Sequence, residues 1–169
     1  MNIANAAALA LALLCAPMAA HAQNVSMDDE IGPAYLIATR ADRLTFMQAA
    51  ESLPGARSAN TFQLNIYYAP DARRAGGGSV AWEDMTGAAD CANQRLVMAS
   101  TALYDENGRL LSSTALNQEV QAPPNSALAT VLNIACTETR PQPLTPSSRR
   151  ARLYAMRVAL QQLARQAQQ

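Results

Sequence analysis

Lysine is absent from this 169-residue sequence, and histidine occurs once, at position 21, inside an apolar opening segment. Cysteine occurs three times, and Cys15 lies in the same segment. Residues 3–20 are almost entirely apolar and lead into Ala20-His21-Ala22. An apolar stretch of this length closed by an A-x-A site predicts a signal peptide, residues 1–22, cleaved before Gln23. The stretch is short for a membrane span and has no basic flank to stop transfer. Its first residues, MNIAN, lack the usual positive charge. Lipidation at Cys15 is not expected, because Leu14 stands where lipoprotein signals carry a small residue. No later stretch is long and apolar enough to span a bilayer, so no transmembrane segment is expected after cleavage. The predicted localisation is exported, either periplasmic or secreted.

These absences exclude much chemistry. The mature chain has no imidazole for general acid–base work and no amine for a Schiff base. Its two remaining thiols, Cys91 and Cys136, sit in an oxidising compartment, where such a pair predicts one structural disulfide. Closing the loop between them restricts the unfolded chain by roughly 4 kcal/mol in the chain-entropy account. With the thiols paired, zinc sites built on His or Cys are excluded as well. A two-carboxylate mechanism is left. Its candidates, Glu83 with Asp84 and Asp105 with Glu106, are sequence neighbours. Neighbours on a strand face opposite ways, and neighbours in a turn are solvated. Gly76-Gly77-Gly78 is not followed by Lys-Ser/Thr, so it is not a phosphate loop. The expectation is a non-enzymatic chain with no catalytic residue, cofactor or metal, and no nucleic-acid partner.

Acids are missing from the C-terminal end. From Arg140 onward there are six arginines and no carboxylate, whereas residues 23–139 carry seven arginines against thirteen acids. Either the basic tail folds back on the acidic body or it steers a partner.

The present features form an order. Residues 23–33, with Asp28-Asp29-Glu30 before Gly32-Pro33, predict a disordered lead-in. Residues 35–39 and 44–47 predict two strands around a polar turn, and QAAESL a short helical turn stopped at Pro54-Gly55. In TFQLNIYY, Phe62, Leu64, Ile66 and Tyr68 fall on one face and Thr61, Gln63 and Asn65 on the other, predicting one buried and one wet face. Further strands are predicted over 79–90, with Gly87 at a bulge, and over 94–104. The last returns over 109–116 through the turn Asp105-Glu106-Asn107-Gly108. Pro123-Pro124 switches the period, and Asn125 or Ser126 caps a helix ending at Cys136. Residues 137–148 hold three prolines and predict a semi-extended linker. Over 149–167 the spacing of Leu153, Met156, Leu160, Leu163 and Ala167 predicts an amphipathic helix.

RADRLTFMQAAESL, TFQLNIYYAP, DCANQRLVMASTALYDENGRLL and PPNSALATVLNIAC follow one another in that order, and the arrangement over about residues 34–136 resembles the bacterial surface-adhesin protein E family. The resemblance implies an α+β fold: a curved antiparallel sheet of about six strands with a helix held across it by the Cys91–Cys136 disulfide. It implies binding of host matrix and plasma proteins. This chain departs from the family in lacking a lipid anchor and in adding the linker and the basic helix. The absence of lysine removes the kind of patch that recruits plasminogen.

The expected organisation is therefore a signal peptide (1–22), a lead-in (23–33), a sheet domain (34–136), a linker (137–148) and a semi-independent Arg-rich helix (149–169). The expected function is an exported module that holds an extracellular or periplasmic protein. The alternative is a component of an envelope assembly that docks through the terminal helix. The residues expected to dock a partner are Arg149, Arg150, Leu153, Met156, Arg157, Leu160 and Leu163. The arginines of that helix, including Arg152 and Arg165, also offer contact to an anionic surface.

Overall fold

A computed structural model describes residues 23–53, 58, 60–137 and 140–166. The predicted signal segment with Cys15 and His21, the predicted Pro54-Gly55 stop and Ala167 lie outside the described residues.

The strands are β1 (Glu30–Ile31), β2 (Tyr35–Arg40), β3 (Arg43–Ala49), β4 (Thr61–Tyr68), β5 (Arg74–Ala75), β6 (Gly78–Ser79), β7 (Trp82–Asp90), β8 (Arg95–Tyr104), β9 (Leu110–Gln121) and β10 (Ser147–Ser148); the helices are α1 (Ala127–Cys136) and α2 (Arg149–Gln166). Six strands form one antiparallel sheet in the order β2-β3-β4-β7-β8-β9. Neighbours in sequence are neighbours in the sheet, and the β5–β6 hairpin is a detour between β4 and β7. The architecture is the expected α+β sheet with a disulfide-tethered helix.

The sheet has two faces, and a helix covers part of each. On one face α1 packs Val131, Leu132, Ile134 and Ala135 against Met47, Phe62, Leu64, Leu96 and Met98. Ser126 caps α1, its hydroxyl accepting from Ala129 N–H at 3.1 Å. Cys136 at the other end is bonded to Cys91 in the turn after β7, with the Cα atoms 5.7 Å apart. Gly87 is demanded by this core. A β-carbon there would lie 2.6 Å from Phe62 Cζ and 2.7 Å from the Val97 carbonyl, and the β7–β8 register shifts at this residue, at the expected bulge. Further along the same face Tyr68, Val80 and Leu103 form a smaller cluster.

The opposite face corrects the expectation for β4. Asn65, placed on the wet side by alternation, is 1% exposed, and Tyr67 beside it on the same face is 2% exposed. α2 lies over them, packing Leu153 and Leu160 with Leu44, Phe46, Tyr67, Trp82, Ala102 and Tyr104. Alternation reports which residues share a face; it does not report whether a distant helix covers that face.

Three organisational expectations are corrected with it. The lead-in is ordered: Val25 N–H donates to Gly108 C=O at 2.9 Å, the Asn24 side-chain oxygen accepts from Leu110 N–H at 2.9 Å, and Met27 and Ile31 are buried. Gly108 (φ +81°) leaves room for this segment, since a β-carbon would stand 2.3 Å from the Val25 carbonyl. The linker is built in as well. Its Ser147–Ser148 pairs with Glu30–Ile31, and Leu144 N–H donates to Ala34 C=O at 2.7 Å. Its prolines fall outside those paired positions. α2 is consequently not semi-independent; it is docked on the sheet through both ends of the chain.

Candidate binding groove

The residues expected to dock a partner through α2 are largely engaged within the chain. Leu153 is 5% and Leu160 1% exposed. Arg149 lies 3.5 Å from Asp84, Arg150 3.3 Å from Asp28 and Arg157 2.9 Å from Glu106. Arg152 is buried, and among the described residues no carboxylate is paired with it. Its guanidinium donates to the carbonyls of Ile31, Gly32 and Thr145 at 3.1–3.2 Å and to the Ser147 hydroxyl at 3.3 Å. The basic tail has folded back on the acidic body. Three arginines in the first turn of a helix oppose its dipole, and Asp84 and Asp28 offset that opposition. Residues 27–29 also cap the helix: Met27 and Asp29 carbonyls accept from Arg150 and Arg149 N–H. Of the predicted arginines, Arg150 in its surface pair and Arg165 at the far end stay exposed.

The neighbouring carboxylates Glu83 and Asp84 are both withdrawn from solvent, on opposite faces. Glu83 accepts from Tyr68 O–H at 2.7 Å and Thr101 O–H at 2.6 Å, and it is ion-paired with Arg73. Burial, reinforced by the Glu83 carboxylate, pushes the Tyr68 hydroxyl up to about 12. Asp84 accepts from the Asn65 amide at 2.7 Å under α2. Burial raises its pKa, against the opposing pull of Arg149 and Asn65. The sheet separates the two groups, so they do not converge on a common substrate. Trp82 and Tyr104 stack beside Asp84 with ring centroids 5.1 Å apart.

Clefts open at the edges of α2, and the two larger of those described differ in character. One, of about 310 Å³, lies between the β5–β6 hairpin and the β8–β9 turn. Its charges pair among themselves or with near neighbours: Asp105 with Arg109, Glu106 with Arg157, Asp71 with Arg74. The other is an apolar groove of about 390 Å³ between α2 and the β2 edge. Leu36, Leu44 and Phe46 form its floor and Met156, Ala159 and Leu163 its helical wall. Leu144 closes one end, and Thr39, Gln162 and Gln166 stand at the rim without formal charge. Leu36 is 52% and Leu144 39% exposed, so two of the chain's most exposed large aliphatic side chains converge here.

β2 is an edge strand. Among the described residues its ladder partner is β3, and its outer side is met by the linker only at the preceding residue, Ala34. Continuing the antiparallel Ala34–Leu144 register would set Pro143 beside Tyr35, and among the described residues no pairing is made there. The linker leaves the edge there, and Arg140 is ion-paired with Glu51 beyond the start of β2.

The structure thus divides the predicted docking set. Met156 and Leu163 line an accessible groove, while Arg149, Leu153 and Leu160 hold α2 to the sheet. Cys91 and Cys136 brace the distant α1 end. The groove itself escaped the sequence, because β2, β3, the linker and α2 contribute to it from up to about 130 residues apart. The one local signal was the outer-edge Leu36, an apolar residue in a short strand. No family model, no curated protein and no solved structure matches this chain.

Proposed function

We propose that this chain is an exported, non-enzymatic binding module of surface-adhesin protein E type, and that it holds a protein segment in the groove between α2 and β2. The observation that carries this is the coincidence of an uncharged apolar groove with exposed Leu36 and Leu144. A polar-rimmed apolar concavity of this kind marks a binding site more often than a solvated surface. The alternative, docking of α2 into an assembly through its seam and arginines, is disfavoured because Leu153 and Leu160 are already buried on the sheet and Arg149, Arg150 and Arg157 are paired with Asp84, Asp28 and Glu106.

Position-specific photocrosslinking tests the site. A crosslinker at Leu36 should trap one partner from envelope or extracellular fractions. A crosslinker at Val97, which is also exposed but lies elsewhere on the sheet, should not. Leu163→Asp should abolish the Leu36 product. Equal capture from both positions, or capture that survives Leu163→Asp, refutes the groove. Export is tested separately: the purified protein should begin at Gln23, and a lipid-modified Cys15 would reverse that expectation.

A further inference from the structure

We infer that the groove's occupant is an extended, uncharged polypeptide segment that adds to the outer edge of β2 as a further antiparallel strand and buries alternate apolar side chains against Leu36 and Leu163. This deepens the groove reading above and rests on it.

The chain itself supplies the precedent. Leu144 approaches the same edge in extended conformation, donates its N–H to the Ala34 carbonyl at 2.7 Å and places its side chain at the end of the groove. Among the described residues this internal pairing does not continue along β2 past Ala34. Backbone groups alternate sides along a strand, so the outward carbonyl of Ala34 puts the peptide groups of Leu36 on the outer edge as well. The side chain of Leu36 pairs with Phe46, a residue of the face covered by α2, so it leans over the groove floor. A strand laid outside β2 presents every second side chain to that same face. Backbone pairing would supply affinity and the groove would supply selectivity, the usual division in recognition by strand addition. The rim residues Thr39, Gln162 and Gln166 offer no charge to a charged segment, whose desolvation would go uncompensated. The fitting segment is therefore apolar at alternate positions, extended and free of proline where its N–H groups face β2.

A displayed library of random seven-residue peptides, panned on the mature protein, provides the probe. The strongest binders are resynthesised with a single backbone N-methyl group at each position in turn. Strand addition predicts an alternating pattern: methylation of an edge-facing N–H weakens binding about tenfold or more, and methylation of the next one does not. Amide exchange at Leu36 should slow in the complex. Peptides that are lost with Leu163→Asp but tolerate methylation uniformly would leave the groove reading standing and overturn strand addition. Failure to select any binder, or binders indifferent to Leu163→Asp, would overturn both.

Discussion

Glu83 and Asp84 differ by one position and by one face of the sheet, and their energetics differ accordingly. Glu83 is saturated by Tyr68, Thr101 and Arg73. Glu83→Ala strands those donors, and since Arg73 is partly exposed the expected loss is about 2 kcal/mol in urea unfolding. Asp84 is the opposite case. Its folded pKa is raised by burial, so the native state binds more protons than the unfolded chain between the ordinary aspartate value, about 3.9, and the raised one. The contribution of this group to stability therefore falls as pH rises through that window. Asp84→Asn keeps an acceptor for Asn65 and removes the buried charge. Its melting temperature should gain on the wild type as pH rises through the window and then hold the gain. Parallel curves for the two proteins would refute the assignment. Gly87→Ala is a third residue-scale test. Its methyl would overlap Phe62 and the Val97 carbonyl, and the expected cost is about 2 kcal/mol by the same unfolding measurement.

At the scale of elements, the two helices are held by unlike means. α1 presents an apolar face and a covalent tether. α2 buries Leu153 and Leu160, but it also meets the sheet through ion pairs, a buried arginine on carbonyls, and polar atoms without hydrogen-bond partners among the described residues: Asn65 Oδ1, Arg149 Nε, Arg152 Nη1 and Arg157 Nε. α2 is therefore expected to open before α1. Raising sodium chloride should speed amide exchange in α2 and leave α1 unchanged, because the outer pairs Arg150–Asp28 and Arg157–Glu106 are screened. Leu160→Asp should expose Trp82 and red-shift its fluorescence, since Leu160 and Trp82 share one core cluster. The legibility of these elements followed their locality. The β4 alternation, the Asp105–Gly108 turn, the Ser126 cap and the Cys91–Cys136 pair were written in contiguous residues or in a simple count. The seam of α2 announced that it needed a surface, yet Leu44, Phe46 and Trp82, which provide it, sit in three separate strands. β1 and β10 are two residues each, and their pairing left no periodic signal in either segment.

Across the whole molecule, the charge asymmetry between body and tail is resolved internally, with Arg140, Arg149, Arg150 and Arg157 distributed over Glu51, Asp84, Asp28 and Glu106. The same arrangement makes a clasp of the two ends of the chain: residues 24–31 lie between the β8–β9 turn and the start of α2, and Ile31 and Gly32 hold Arg152. A clasp of this kind sets an order of events. In a chain that emerges amino end first, residues 27–31 wait without their β10 and α2 partners until residues 144–152 have followed, while the disulfide-bearing meander between them is already complete. The last contacts made are thus those of greatest sequence separation, the slowest kind to find. A chain that folds in this order is expected to pass through a stage in which Trp82, Tyr67 and Phe46 stand uncovered on the sheet until α2 arrives.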